Sequence, residues 1–299
     1  MTTSIDIEKL RFAQKQRLTY LESVAYWEGA IDRPRISSVF DVSENHVTKD
    51  FRLYKESFPG NIRYDEISRV YRPTKRFKPR IGTGTAEEYL SILRTYAERE
   101  NSTTIPDQNP TIPVYALSRP QGTVDKEILN AITRSISSRR ALEINYQSMT
   151  RASANTKIVW PHALLFSGTR WHARAYDEDR AQYIDLVLQR VLTAKSADNK
   201  KLPFEAHDDQ WEHFVDVDVI PKPTLTANQA AVVAREFGMV KEGNKWIWRA
   251  SMRECMVGYF IVHHRLDVEN DERRLIALRD HSLIAKHLPP SDFALNRGG

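Results

Sequence analysis

Pro-Arg-Ile-Ser-Ser-Val-Phe-Asp-Val-Ser-Glu-Asn-His-Val-Thr-Lys-Asp-Phe-Arg-Leu-Tyr-Lys-Glu-Ser-Phe occupies residues 34–58. The stretch reads as two short helices joined by a tight turn. Ile36, Val39 and Phe40 make one apolar stripe at helical spacing, and Val47, Phe51 and Tyr54 make the next. Val42 and Ser43 form the turn; Ser43 suits a helix N-cap, with Glu44 behind it in the positive field of the helix start. Asn45, Thr48, Lys49, Arg52 and Lys55 face away from the second stripe, and His46 joins this polar set. One face buried and the other rich in hydrogen-bonding groups is the design of a helix-turn-helix, whose second helix enters the major groove.

Charge supports that reading. Residues 1–80 hold 16 Lys+Arg against 11 Asp+Glu, whereas residues 81–299 hold 28 of each, so the whole excess of +5 sits with the helix pair. That is the electrostatic footprint of an end that meets phosphate. Working outward, Leu10, Ala13, Leu18, Leu21, Val24 and Ala25 predict a helix over 6–28, ended by Gly29 and Pro34. After Pro59-Gly60, Ile62 and Tyr64, then Ile67, Val70 and Tyr71, predict two short strands around Asp65-Glu66. Three helices and a hairpin make a winged helix-turn-helix over residues 1–80. Residues 69–80 carry six cations, two aromatics and no acid. As a wing this segment could lie along a phosphate backbone through Arg69, Arg72, Lys75 and Arg76, or be a solvated loop.

Residues 81–122 read as a connecting helix at 85–100 and a linker stiffened by Pro106, Pro110, Pro113 and Pro120. Residues 123–200 open with an amphipathic helix at 124–139 and continue as five short strands, at 142–146, 157–162, 163–166, 171–176 and 183–192. This predicts a small, strongly bent antiparallel barrel. Residues 201–299 alternate strand and helix: strands near 214–220, 245–250 and 273–278, helices at 226–237 and 252–265. The fold class is therefore multidomain α+β: winged helix, small barrel, α+β extension. In the last helix Met256, Val257, Tyr259 and Phe260 are apolar enough to pack across a dimer interface or to form the core of their own domain.

Within the barrel, Trp171-His-Ala-Arg-Ala-Tyr176 followed by Tyr183-Ile-Asp-Leu-Val-Leu-Gln-Arg190-Val191 resembles the core of the WYL domain, with Ile144-Asn-Tyr146, Pro161-His162 and Gly168-Thr-Arg170-Trp171 around it. Two of the three residues of the eponymous Trp-Tyr-Leu triplet differ here. The order of domains also resembles the WYL-type transcriptional regulators, most closely those encoded beside bacterial anti-phage systems of the BREX and CBASS kinds. The resemblance implies an Sm- or SH3-like barrel that senses a nucleotide or short nucleic-acid ligand through Tyr146, Ser148, His162, His172, Arg174 and Arg190. Strand alternation places His172 and Arg174 on one face and Trp171, Ala173 and Ala175 on the other, which favours a core role for Trp171. Arg190 either contacts ligand or pairs with Asp185.

Other chemistries find no support. The nine His are scattered, and one Cys builds neither a disulfide framework nor a structural zinc site. Gly82-Thr-Gly84 lacks the third glycine of a dinucleotide loop, and no nucleophile elbow or phosphate-binding loop occurs. Asp177, Glu178 and Asp179 read as a solvated acidic turn. No cofactor, metal or catalytic constellation is expected. No apolar run is long enough for a signal or membrane span, which predicts a cytoplasmic protein. The expected function is a homodimeric repressor of a phage-defence operon. It would bind an inverted-repeat operator of double-stranded DNA and be released by a ligand in the barrel. The alternatives are a nucleic-acid-binding accessory subunit of a nuclease or helicase, and a repressor that answers a small metabolite.

Overall fold

The structure is a computed structural model that describes residues 10–99, 112–117, 122–197, 200–203, 206–268 and 271–288. The chain divides into two compact units, residues 1–119 and 120–299.

The first unit is built from α1 (Phe12–Glu28), α2 (Arg33–Phe40), α3 (Glu44–Ser57), the hairpin β1 (Ile62–Asp65) and β2 (Val70–Pro73), and α4 (Ala86–Arg99). Asp32 caps α2 by accepting from the Arg35 N–H at 2.9 Å. Asp41 ends that helix in the left-handed region, φ 49°, and Ser43 opens α3 as its N-cap. The turn therefore begins one residue earlier than expected. Leu18, Leu21, Val24, Ile36, Val47, Phe51 and Tyr54 form the core. Phe51 stacks on Tyr71 of the wing with ring centroids 4.0 Å apart, so the wing is fixed to the second helix of the pair.

Two buried charges that have no periodic signature hold this unit. Asp50 on α3 is 2% exposed and accepts from Arg17 Nε at 2.6 Å and Gln14 Nε2 at 2.8 Å, tying α3 to α1. Glu22 accepts from the Tyr54 hydroxyl at 2.7 Å and from the N–H groups of Arg80, Ile81 and Gly82 at 2.8–2.9 Å. It thereby joins α1, α3 and the segment that leaves the wing.

Several expectations need correction here. Ile67 is not in a strand but at the wing tip, 98% exposed, because the Asp65 carboxylate accepts from the N–H groups of Ile67 and Ser68 and folds a turn. The helix expected as a connector packs on α1: Tyr89, Leu93 and Ala97 are buried, and Tyr20 and Tyr96 share a hydroxyl hydrogen bond of 2.9 Å. The expected helix start at 6–9 and three linker prolines, Pro106, Pro110 and Pro120, lie outside the described residues.

The second unit begins with α5 (Lys126–Ser138), which lays Ile128 and Ile132 on a sheet of β3 (Leu142–Tyr146), β4 (Asn155–Phe166), β5 (Trp171–Asp177), β6 (Gln182–Val187) and β7 (Val191–Ser196). All pairings are antiparallel, in the order β6-β5-β4-β3-β7. The expected closed barrel is an open sheet: β6 and β7 are its two edges and do not pair. It is nevertheless curled. Four spacings of about 4.8 Å would part the edges by about 19 Å in a flat sheet, whereas the single 3-10 turn Leu188–Arg190 joining them spans at most about 14 Å. That turn also splits the strand expected at 183–192. Conversely, the two strands expected at 157–166 are one, with a bulge at His162 between the pairs Pro161–Ala175 and Ala163–Arg174.

The remainder is α6 (Asp209–Glu212), β8 (Phe214–Pro221), α7 (Ala227–Glu236), β9 (Val240–Glu242), β10 (Lys245–Arg253), α8 (Val257–His263), β11 (Ile276–Leu278) and α9 (Ser282–His287), with sheet order β11-β8-β10-β9. α8 is shorter than expected, because β10 runs on to Arg253. Val257 and, partly buried, Phe260 belong to the core of their own domain, so two of the four residues of the apolar stripe offered for a dimer interface are internal. Trp171 departs from its expected core role: it is 47% exposed at the start of β5, against Phe166. Asp177 is fully buried and paired with Lys157, not solvated.

Asp50→Ala should destabilise the first unit by about 3–5 kcal/mol, because it leaves Arg17 buried without its counter-charge. Urea unfolding curves of wild type and variant measure it; a loss below about 1 kcal/mol would show that the pair is not what joins α3 to α1.

Candidate nucleic-acid interface and sensor face

α3 turns Val47, Asp50, Phe51 and Tyr54 inward. Asn45, His46, Thr48, Lys49, Arg52 and Lys55 are all exposed on its outer side. None of these six has a hydrogen bond or ion pair to another helix among the described residues. The Thr48 hydroxyl donates within the helix to the Glu44 carbonyl at 2.8 Å. Arg52 lies 3.7 Å from Glu56, with both side chains more than half exposed, a contact worth little in water. Lys55 sits over the Tyr71 ring at 6.0 Å.

The four expected wing cations divide. Arg69 is exposed at a left-handed turn position, φ 56°, and Lys75 and Arg76 are exposed beyond β2. Arg72 is held within the wing by Asp65 at 3.0 Å and Ser68 at 3.3 Å.

The second unit gathers some expected sensor residues and separates others. Arg174, 4% exposed, is the centre. Its guanidinium donates to both oxygens of Asp208 at 2.8 Å, to Asp185 at 3.1 Å and to Gln210 at 3.0 Å. The bulge re-aims His162, whose Nε2 lies 2.9 Å from Asp208 Oδ2. Tyr259 of α8 donates to the other oxygen of Asp185 at 3.1 Å. The polar face of the first sheet is thus fastened to the segment before β8 and to α8. Gly168, φ 93°, lets the β4–β5 turn meet His263, where a Cβ would come within 2.9 Å of the ring.

Burial alone would raise the Asp208 pKa; the hydrogen bonds from Arg174 and His162 outweigh it and hold the carboxyl well below the usual range. Burial, reinforced by Asp185, pushes the Tyr259 phenol far above its ordinary value. His172 is driven down by burial, with Asp185 opposing and the charges of Arg170 and Arg190 adding to the depression, so its ring is neutral at pH 7. It is 3% exposed, and its Nδ1 has no hydrogen-bond partner. Arg190 is half-buried and makes no side-chain hydrogen bond or ion pair among the described residues; Asp185 is taken by Arg174. Tyr146 lies in the sheet core, its hydroxyl accepting from the Val187 N–H at 3.3 Å. Ser148 stands in the β3–β4 loop, 3.2 Å from the Thr150 hydroxyl. Asp208, Gln210 and Tyr259 were not expected at this site; no local motif marks them, and only the fold brings them to Arg174.

Three family models match successive parts of the chain: the BrxR transcriptional regulator winged helix-turn-helix domain at residues 13–95, the WYL domain at 127–196, and the BrxR transcriptional regulator C-terminal dimerization domain at 214–285. A DNA-binding transcriptional repressor CapW of Stenotrophomonas maltophilia is 31% identical over 87% of this chain and 85% of its own length. The chain belongs to the WYL-domain winged-helix transcriptional regulators. CapW of Escherichia coli (strain KTE188) is 30% identical over 77% of both chains, and that of Pseudomonas aeruginosa 28% over 91% of this chain and 89% of its own. Among solved structures, a proteasome accessory factor B/C of Arthrobacter aurescens aligns with 92% of the regulator at 16% identity and a TM-score of 0.24; the regulator spans 47% of its length.

Arg174→Ala should cost the second unit about 3–5 kcal/mol at pH 7, since Asp208 and Asp185 stay buried without their cation. The acid side follows from the depressed Asp208 carboxyl. Its stabilisation is present above the unfolded value of 3.8 and is lost as pH falls through 3.8 toward the lower folded value. Unfolding free energies at pH 7 and pH 3 should therefore differ more in wild type than in Arg174→Ala.

Proposed function

We infer that this regulator is a dimeric DNA-binding transcriptional repressor that reads an inverted-repeat operator with α3 and braces on phosphate with its wing. The observation that carries the reading is the outer face of α3: six exposed polar or cationic side chains on a helix whose inner face is locked to α1 and the wing, in a chain whose relatives are named DNA-binding repressors. Asn45, Lys49 and Arg52 are the base-reading set, with His46, Thr48 and Lys55 beside them. Arg69, Lys75 and Arg76 face phosphate, and Arg72 stiffens the hairpin that carries them. Two half-sites need two copies, and the domain at 214–285 has the family description of a dimerization domain. The controlled operon is a phage-defence operon, as the resemblance to regulators beside such systems implies.

Release comes from a phosphate-bearing ligand, a nucleotide or short nucleic acid, at His172 and Arg190 with Ser148 nearby. The unpartnered Nδ1 of a 97% buried histidine and a half-buried arginine without a carboxylate partner support this. Arg174 and His162 act through Asp208, linking the ligand face to the dimerization domain. A ligand shifts operator affinity only by its differential affinity for the two states, typically about 5–150-fold.

Arg52→Ala should weaken operator binding by about 1–3 kcal/mol and relax discrimination at the base it reads. Arg76→Ala should weaken all sequences alike and reduce the salt slope by about one. Gel shifts across a salt series measure both, and coincident wild-type and Arg52→Ala curves would remove α3 from the interface. Arg190→Ala should bind operator as wild type does but fail to release it when oligonucleotide is added. Release unchanged in Arg190→Ala would place the ligand elsewhere, and release by metabolites alone would favour the metabolite-responsive reading.

A further inference from the structure

A cleft of about 450 Å³ opens at the C-terminal end of α5, lined by Arg139, Arg140, Trp160, Lys200, Lys201 and Leu202. That volume is in the range of small-ligand sites. It lies apart from His172: Trp160 pairs with Tyr176, four residues along β5 from His172, or about 13 Å. Residues 120–299 carry 25 Lys+Arg and 23 Asp+Glu, so four cations around one cleft are a local excess.

Three of them, Arg139, Lys200 and Lys201, are not consumed by the fold. Lys200 pairs with Glu178 at 3.0 Å, with both side chains more than a third exposed, a contact that a stronger anion displaces easily. Arg139 and Lys201 make no side-chain hydrogen bond or ion pair among the described residues. Nor does the negative pole of α5 need the Arg139 side chain. The backbone N–H groups of Arg139 and Arg140 donate to the carbonyls of Ile136 and Ser135, and the Ser135 hydroxyl donates to the Arg140 carbonyl. Arg139 itself has φ 53°, the position after a helix where glycine is the default. Capping would be served as well or better by glycine, so the guanidinium is the part of this residue that the backbone does not explain.

We propose that the cleft is an anion site for a ligand bearing two or more phosphate groups, held chiefly by Arg139 and Lys201. Arginine grips phosphate with two parallel N–H donors, and lysine adds a point charge. Trp160 lines the cleft but is 5% exposed, which leaves no ring face for a base to stack on. Recognition therefore follows phosphate number and ignores the base. The proposal does not depend on how operator release occurs.

Isothermal titration of the full chain at fixed ionic strength tests it, with orthophosphate, tripolyphosphate, ATP, CTP and a thymidine pentanucleotide as probes. Tripolyphosphate should bind more tightly than orthophosphate, and ATP and CTP should bind alike. The pentanucleotide arm shows whether phosphodiesters share the site with free polyphosphates. Arg139→Gly and Lys201→Ala should each weaken tripolyphosphate about tenfold. Arg139→Gly should at the same time melt at an equal or higher temperature, because glycine suits φ 53°; a merely structural arginine would show the melting result without the binding loss. Tripolyphosphate binding unchanged in the Arg139→Gly/Lys201→Ala double variant, or a tenfold preference between ATP and CTP, overturns the proposal.

Discussion

Arg174 is the constraint around which the second unit is arranged. A guanidinium that is 4% exposed survives only if its charge is matched and its donors are met. The match comes from three places in the chain: Asp185 on the neighbouring strand, and Asp208 and Gln210 beyond the end of the sheet. Because Asp208 also receives His162 and Asp185 also receives Tyr259, the first sheet cannot leave its neighbour without stranding several buried polar groups together. The sheet of the WYL domain and the C-terminal domain are accordingly one compact unit, and the ion network is the seam between them.

The first unit solves the same problem with anions. Asp50 and Glu22 are each 2% exposed. Asp50 is met by a cation and an amide, whereas Glu22 is met by a phenol and three backbone N–H groups. In both units a single buried charge joins elements that are distant in sequence. Both depend on orientation as well as contact, which gives each unit one arrangement rather than a family of similar packings.

Legibility from sequence follows this division. The stripes Ile36-Val39-Phe40 and Val47-Phe51-Tyr54, the Ser43 cap and the alternation that separates His172 and Arg174 from Ala173 and Ala175 are local, and local periodicity revealed them. Closure is not legible in the sequence, because it depends on hydrogen bonds between two edge strands, β6 and β7, and no local pattern encodes whether they pair. The strand through His162 reads as two in the sequence because a bulge breaks the period of two. In the sequence Arg174 reads as a ligand contact; in the structure it is the buried centre of an ion network. Its acids stand 11 and 34 residues away, and no pattern in the chain announces them. Asp50 reads as one more polar residue of a charged helix until α1 is laid against it.

The outer face of α3 has a consequence for how such a regulator diversifies. Asn45, His46, Thr48, Lys49, Arg52 and Lys55 make no hydrogen bond or ion pair to another element among the described residues, while everything that holds the helix lies on the opposite side, in Val47, Asp50, Phe51 and Tyr54. The exposed and the anchoring side chains occupy disjoint sets of positions on one helix. A lineage can therefore exchange the outer residues for others of good helix propensity at little cost in folding while the scaffold beneath stays fixed. With α3 as the proposed reading helix, operator specificity is free to drift faster than the fold that presents it.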